Sequence, residues 1–439
     1  MDWEKEYQKR IISADKAATF INSNDQVIFT MGREAHGIGK AIAERKDELE
    51  NVNMFIPTPS YDFGWYDQGF QDSFDISVVM PTNTCQEAMN KNRIDLIPGI
   101  MMSMYRPNCF AKPADVVITE VSPPDEKGFC SFGQSLWNKK KQIQMGKIVI
   151  AEVNTHLIRT HGDNFIHFSE IDHFVLHKPS GKKIGATSLA GRKIKEPEPY
   201  LKDIAGYMSE LINDKDTIQI GVGRTTEPLV RLGMLDNKND LGIHTEATPP
   251  KIITLVKEGV ITGKYKTIHN GKVVATSLGG GSREEMMWAD NNPLFELVTV
   301  DYLEDIRIIA SNDNMVAINN ALAIDITGQI TAESVDGHLV STAGGQFPFV
   351  VGALLSKGGR SITVLPSTAK YNSISRIVPS FPEETVVTIP RTCADFVVTE
   401  FGIAKLWGKS MRQRAQELIS IAHPKFRDEL TKEAQKRFG

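Results

Sequence analysis

INSNDQVIFTMGR, residues 21–33, recurs along the chain as INDKDTIQIGVGR, residues 212–224. In both copies an Ile-Asn pair is followed by an aspartate four residues after the isoleucine, then an apolar run, then Gly-Arg. A short apolar run closed by a glycine reads as a buried strand entering a tight turn. Amphipathic segments flank both copies, so the local unit is helix, turn, strand, glycine turn, helix. A spacing of about 190 residues is far too long for a solenoid. It predicts two structurally similar halves.

The remaining apolar runs support that division. VIFTMG (27–32), KIVIAEV (147–153), TIQIGVG (217–223) and SITVLPS (361–367) read as buried strands. SADKAATFI (13–21), PYLKDIAGYMSELI (199–212) and KSMRQRAQELISIA (409–422) carry helical periodicity, with Ser13 as N-cap of the first. Strands that alternate with helices predict an α/β architecture of open, largely parallel sheets. KPSGKKIGATSLAGRKIKEPEPY (178–200), rich in Lys, Gly and Pro, is the expected junction. The boundary is drawn between residues 1–190 and 191–439. Two such domains facing each other would form a cleft, the usual ligand site in these architectures.

The chain has 439 residues, 41% of them hydrophobic and 24% charged, with a net charge of -4. This length exceeds one ordinary core. No basic stripe marks a nucleic-acid partner. No apolar run reaches the roughly 18 residues of a membrane span. The opening MDWEKEYQKR lacks the apolar centre of a secretory signal. Cys85, Cys109, Cys130 and Cys393 show no C-x-x-C spacing, so reduced thiols and a cytoplasmic setting are expected.

Several stretches could carry chemistry. The turns at Gly221-Val222-Gly223 and Gly344-Gly345-Gln346 could bring backbone N–H groups to a ligand, or simply close a strand and open a helix. LGGGSREE (278–285) lacks the Lys-Ser/Thr ending of a P-loop and reads as a flexible loop. His156, His161, His167, His173 and His177 lack metal-ligand spacing, and no metal is expected. Cys130 has only Lys127 nearby to activate a thiolate. Neither a G-x-S-x-G elbow nor a G-x-G-x-x-G fingerprint is present. Glu246, in LGIHTEATPP (241–250), stands at the end of a β-like run. Such a carboxylate is either solvated decoration or a nucleophile that forms acyl anhydrides and thioesters, given oxyanion donors nearby.

The sequence resembles the acetyl-CoA hydrolase/transferase family, which includes the 4-hydroxybutyrate, butyryl and succinyl CoA-transferases. The resemblance rests on SPPDEKGFCSFG (122–133), VN (153–154) and RTHGD (159–163) in the first half. In the second half it rests on GIHTE (242–246), INNALAIDITGQI (318–330), AGGQF (343–347), GALLSKGGRSITVLPSTA (352–369), SRIVP (375–379), VVTEFGIAKLWGKSMRQRA (397–415) and IAHPKFRDEL (421–430). It implies a CoA-transferase fold and a homodimer or larger homo-oligomer. It also implies transfer of CoA from an acyl-CoA to a carboxylic acid, with no cofactor beyond the substrate coenzyme A. Glu246 matches the family's covalent nucleophile. The GGQ turn, Gly344 to Gln346, is the implied place for CoA and the thioester oxygen, with Gly221 to Gly223 as second candidates. Glu400 is an expected active-site or structural carboxylate.

The chain departs from the family pattern at three turns. Ala247-Thr248-Pro249-Pro250 follows the nucleophile motif, Pro348 stands in QFPF, and GVG runs into Arg224-Thr225-Thr226-Glu227. These departures predict an unusual acid, a dicarboxylate or a bulkier acyl group. Arg224 would then pair with a second carboxylate, or share a structural role with Arg33, its counterpart in the other half. An acyl-CoA hydrolase using the same glutamate and a non-catalytic CoA-binding protein are the alternatives. A required acceptor acid separates the first from a transferase, and binding without turnover marks the second.

Overall fold

The structure is a computed structural model and describes residues 3–99, 113–179 and 196–439. Two compact units emerge from the internal contacts: Met1–Gly185 with Met286–Asp301, and Ala186–Glu285 with Tyr302–Gly439. The expected boundary at residues 190/191 and most of the 178–200 junction lie outside the described residues, as does Cys109. The segment Met286–Asp301 belongs with the first unit, where Phe295–Leu297 pairs in parallel with His161–Gly162.

The first unit is built on an eight-stranded sheet. In chain order its strands are β1 (Ile11–Ile12), β2 (Gln26–Phe29), β3 (Val52–Phe55), β4 (Phe74–Val78), β5 (Asp95–Leu96), β6 (Ala114–Val121), β7 (Gly146–Val153) and β8 (His173–Leu176). Their spatial order is β1-β8-β7-β6-β2-β3-β4-β5, every pair parallel. The inner strands are apolar almost without alternation, as a sheet covered on both faces requires. After β1, helix α1 (Ala14–Ala18) is capped by Ser13, whose hydroxyl accepts from Lys16 N–H. Helix α2 (His36–Ala43) buries Ile38 and Ile42 in the core, a burial that contributes about 1.5–3 kcal/mol per side chain. Ala35 cannot cap that helix. Glu152 of β7 does so instead, accepting from the N–H groups of Gly37 and Ile38 at 2.8 and 3.2 Å.

The second unit repeats the plan. Its principal strands are β9 (Thr217–Ile220), β10 (Gly242–Thr248), β11 (Val273–Leu278), β12 (Met315–Asn320), β13 (Arg360–Val364), β14 (Phe396–Thr399) and β15 (Gly402–Lys405). They lie in the order β15-β14-β13-β12-β9-β10-β11, and only the β14–β15 pair is antiparallel. Helix α3 (Tyr200–Glu210) precedes β9, α4 (Gln346–Leu355) precedes β13, and α5 (Met411–Ser420) follows β15.

The sequence repeat maps onto equivalent strands. β2 lies between β6 and β3, and β9 between β12 and β10. Each copy opens with the same turn. Asn22 N–H donates to Asp25 Oδ2 at 2.7 Å, and Asn213 N–H to Asp216 Oδ2 at 2.6 Å. Asn24 and Lys215 hold φ of 67° and 69° in those turns. Each strand leaves the sheet alike: Thr30 N–H bonds Ile118 O at 2.9 Å, and Gly221 N–H bonds Ile318 O at 2.8 Å. In both units chain order reverses beside the repeated strand, between β2 and β6 and between β9 and β12. Crevices at the carboxyl ends of strands form at such reversals.

The two aspartates differ in one respect. Asp216 is buried and ion-paired with Arg360, whereas Asp25 only closes its turn through Asn22. Asp216→Ala, which takes the carboxylate from the partly buried Arg360 guanidinium, is expected to cost about 1.5–3 kcal/mol. Asp25→Ala is expected to cost about 1 kcal/mol. Urea unfolding of the two variants tests this, and equal losses would contradict it.

Candidate active site

Glu246 lies on β10, an interior strand between β9 and β11. Thr245 and Ala247 register with Ala275 and Ser277, and the Glu246 carbonyl accepts from Thr276 Oγ1 at 2.6 Å. The backbone here cannot shift without breaking the sheet. The residue keeps a little exposed surface, but its carboxyl is desolvated, and burial raises its pKa above the ordinary glutamate value.

Two groups meet that carboxyl: the N–H of Gly345 and the carboxyl of Glu304, both of which work against the rise. Two carboxyls can hydrogen-bond to one another only when one of them carries a proton. Gly345 is the N-cap of α4, so the carboxyl also lies at the positive end of a ten-residue helix. The contact demands glycine. A Cβ at position 345 would lie 2.5 Å from Glu246 Oε2, 2.6 Å from its Cδ and 2.8 Å from Glu304 Oε1.

Glu304 is brought in by His244, two residues before Glu246 on β10. His244 is fully buried, and burial, reinforced by Lys266, lowers its pKa to about 3. The neutral ring's Nε2–H donates to the Leu303 carbonyl at 2.9 Å, holding the 303–304 segment against the strand.

The Gly221-Val222-Gly223 turn closes on the end of β12. A Cβ at Gly223 would overlap Asn320 Oδ1, 1.8 Å away. Thr226 Oγ1 donates to the Gly221 carbonyl. Thr245, beside Glu246, binds the end of β9 through the Ile220 N–H and carbonyl, both at 3.2 Å. Gln346 is buried and donates to the Asn320 carbonyl at 3.4 Å. The two glycine turns predicted from sequence therefore share Asn320 as a neighbour, and one of them touches Glu246.

The other candidates separate. Glu400 sits in the β14–β15 turn and accepts from Ser367 N–H and Oγ at 2.9 and 2.5 Å. Its strand is four places from β10 in the sheet order. Arg224 is exposed, whereas Arg33 pairs with the buried Glu120 at 3.8 Å, so the two arginines do not share an environment. Gly280 of the LGGGSREE loop packs on Pro250, where a Cβ would lie 2.6 Å from the ring. Pro348 occupies the first turn of α4, where no intrahelical N–H bond is lost. Burial pushes the Cys130 thiol up to about 12. His167 and His177 meet Ser169 and Glu152 respectively, and no described group of His, Cys, Asp or Glu could hold a metal ion. A groove of about 630 Å³ lined by Trp3, Tyr7, Pro123 and Pro124 contains none of these residues.

Models of the acetyl-CoA hydrolase/transferase N-terminal and C-terminal domains match residues 1–181 and 281–434. The chain belongs to this family. Glu246 falls between the two matched stretches. Over its whole length the chain is 37% identical to the whole 4-hydroxybutyrate coenzyme A transferase of Clostridium kluyveri. It is 36% identical to the succinyl-CoA:cyclohexane-1-carboxylate CoA transferase of Geobacter metallireducens, across 99% of this chain and 97% of that one. The crystal structure of RipA from Yersinia pestis superposes with a TM-score of 0.90 at 30% identity, covering 100% of this chain and 99% of the other. Among the described residues, no helix is long and apolar enough to cross a membrane.

Glu304 escaped the sequence reading because LEDIR looks like an ordinary acidic helix start, with Asp305 as N-cap. Asn320 was visible only as part of a motif. Two substitutions probe the site. Gly345→Ala places a methyl on the carboxyl and is expected to reduce acyl-CoA turnover about 100-fold, the scale of an ångström misplacement. Gly206→Ala in α3, where nothing lies within 4 Å, is the control and should stabilise the protein slightly. Glu304→Leu removes a hydrogen bond that favours the ionised Glu246, so the acid limb of kcat/KM should move to higher pH. An unmoved limb would show that the two carboxyls do not share a proton.

Proposed function

We propose that Glu246 is the covalent nucleophile of this CoA-transferase and that the reaction is ping-pong. The enzyme is an acyl-CoA:carboxylate CoA-transferase, the activity for which its full-length relatives are named. One observation carries the mechanistic reading: a desolvated carboxyl on an interior strand, held at a helix N-terminus by a glycine N–H. Desolvation strengthens a carboxylate as a nucleophile, and the N–H is oriented before charge develops.

The chemistry balances in four steps. Glu246 Oε attacks the thioester carbonyl of the donor, the C–S bond breaks, and an acyl-glutamyl anhydride and CoA thiolate result. The thiolate attacks the glutamyl carbonyl, releasing the first acid as its carboxylate and leaving a glutamyl-CoA thioester. The acceptor carboxylate then attacks that thioester, giving a new anhydride and CoA thiolate again. The thiolate attacks the acceptor's carbonyl, the new acyl-CoA departs, and Glu246 returns as carboxylate. No electrons are exchanged, so CoA itself suffices. Glu304 carries the proton that Glu246 must lack to attack. The Gly345 N–H can follow the oxygen of Glu246 as it becomes part of a tetrahedral centre. Gly221 to Gly223 and Gln346 are assigned to CoA and thioester binding on the strength of their shared neighbour Asn320. Cytoplasmic placement, supported by the sparse cysteines, and homo-oligomeric assembly, supported by the family resemblance, belong to the same proposal.

The covalent step can be read directly. Tryptic cleavage after Lys238 and Lys251 yields NDLGIHTEATPPK, which contains a single glutamate. After incubation with acyl-CoA and no acceptor, a CoA-sized or borohydride-trappable adduct is expected on this peptide by mass spectrometry. Glu246→Gln should abolish the adduct and the transfer. Full transfer by Glu246→Gln would falsify the proposal.

A further inference from the structure

The repeat that builds both sheets carries different residues at one buried position. Ile28 of β2 corresponds to Gln219 of β9, and both are fully buried. Two places on, Thr30 corresponds to Gly221. The neighbouring strands differ as well. Thr30 N–H meets Ile118 O in the first unit and Gly221 N–H meets Ile318 O in the second, so Thr119 of β6 corresponds to Asn319 of β12. In the first unit Thr30 and Thr119 share a hydroxyl hydrogen bond of 2.9 Å. In the second, two amides take over. An apolar side chain at this position therefore satisfies the fold. A buried primary amide costs free energy unless its polar atoms find partners, so the scaffold alone does not account for Gln219.

Its partners lie at the end of β12. Gln219 Oε1 accepts from the Ile318 N–H and from Asn319 Nδ2, both at 3.1 Å, and Gln219 Nε2 donates to Asn319 Oδ1 at 3.0 Å. The backbone fixes which way the amides face. The Ile318 N–H can only donate, so the Gln219 oxygen must point to it, and Asn319 must then offer nitrogen to that oxygen. Asn319 is itself buried, and its own oxygen lies against the glycine turn. A Cβ at Gly221 would sit 2.6 Å from Asn319 Oδ1. Asn320, the next residue, closes on the far end of the turn, where a Cβ at Gly223 would overlap its Oδ1. β9 and β12 are also the strands between which chain order reverses, the place where open parallel sheets bind ligands.

We propose that Gln219 is a positioning residue for coenzyme A binding: it locks the Asn319 amide against Gly221 and thereby sets the Gly221 to Gly223 turn. This rests on the reading of that turn as part of the CoA and thioester site. Gln219 acts through Asn319 and meets no substrate itself. Three hydrogen bonds tie two strand ends together, and the turn leans on the Asn319 oxygen with no side chain of its own to hold it. Without Gln219 the Asn319 amide loses both its donor and its acceptor, and nothing fixes its rotation. A binding turn works only when its supporting residues are locked in place. The first unit, with Ile28 and a threonine pair at the equivalent points, has the strand pairing without this device.

Free CoA, which has no acyl group to transfer, is titrated by calorimetry into the full-length enzyme and two variants. Gln219→Leu should bind CoA about ten-fold more weakly, the scale of one lost hydrogen bond. Gln219→Glu adds a pH signature. Its ionised carboxylate still accepts from Ile318 and Asn319 but sets a lone pair against Asn319 Oδ1, whereas the protonated acid donates there as the amide did. Burial raises the pKa of such a carboxyl, so the donor is present at low pH and lost as pH rises. Relative to the unaltered enzyme at each pH, the Gln219→Glu protein should bind nearly as well at low pH and fall away above it, while Gln219→Leu stays weak throughout. Unchanged CoA affinity in Gln219→Leu, or a Gln219→Glu protein without that recovery at low pH, overturns the inference. The pH comparison stands by itself if the leucine variant does not fold. Amide hydrogen exchange separates the two layers of the reading. Slower exchange over residues 221–227 when CoA is added to the unaltered enzyme is expected, and its absence would remove the turn from the CoA site and this inference with it. Slower exchange with unchanged affinity in the variants would remove Gln219 alone. Neither readout depends on the adduct at Glu246.

Discussion

The missing Cβ at Gly345 is the constraint around which the second unit is arranged. The backbone N–H at the start of α4 lies against the carboxyl of Glu246 only because no side chain intervenes, and a methyl there would overlap two carboxyls at once. Helix α4 must therefore meet β10 at one height. The strand is held on both sides by parallel neighbours, and the helix by its packing on β12 and β13. A desolvated carboxyl in such a place is costly unless its hydrogen bonds are supplied. Gly345 and Glu304 supply them.

Duplication explains the scaffold but not the chemistry. Both units use the same asparagine–aspartate turn, the same left-handed residue before the strand, and the same hydrogen bond into the neighbouring strand as it ends. The two strand ends then diverge. In the second unit Asn320 closes over the Gly221 to Gly223 turn. In the first, Glu120 pairs with Arg33, and Lys139 stands at the Gly32 turn. A common fold thus ends equivalent strands beside different charges, as expected where function lives in side chains grafted onto a scaffold.

The strands and helices named from periodicity are present: 27–32, 147–153, 217–223 and 361–367 each overlap a strand, and the three named helices form within their expected limits. Each carries its information locally, in apolar spacing or a capping serine. The attachment of Met286–Asp301 to the first unit was not legible, because the pairing of Phe295–Leu297 with His161–Gly162 joins short strands far apart in sequence. Nor could the sequence show that Glu400 would bond Ser367, since the two meet only when β13 and β14 align.

What the sequence determined by itself was the doubled α/β plan, written in two matching segments, and the candidacy of Glu246 and its two glycine turns. Glycines and apolar runs act on their own backbone, so their meaning survives without the rest of the molecule. Tertiary structure alone decided that the carboxyl of Glu304 meets that of Glu246, that a neutral His244 holds Glu304 in reach, and that Lys139 is buried beside the Gly32 turn. Burial and hydrogen bonding set those properties. Both depend on which distant segments fill the space around a side chain, and a linear sequence does not state that.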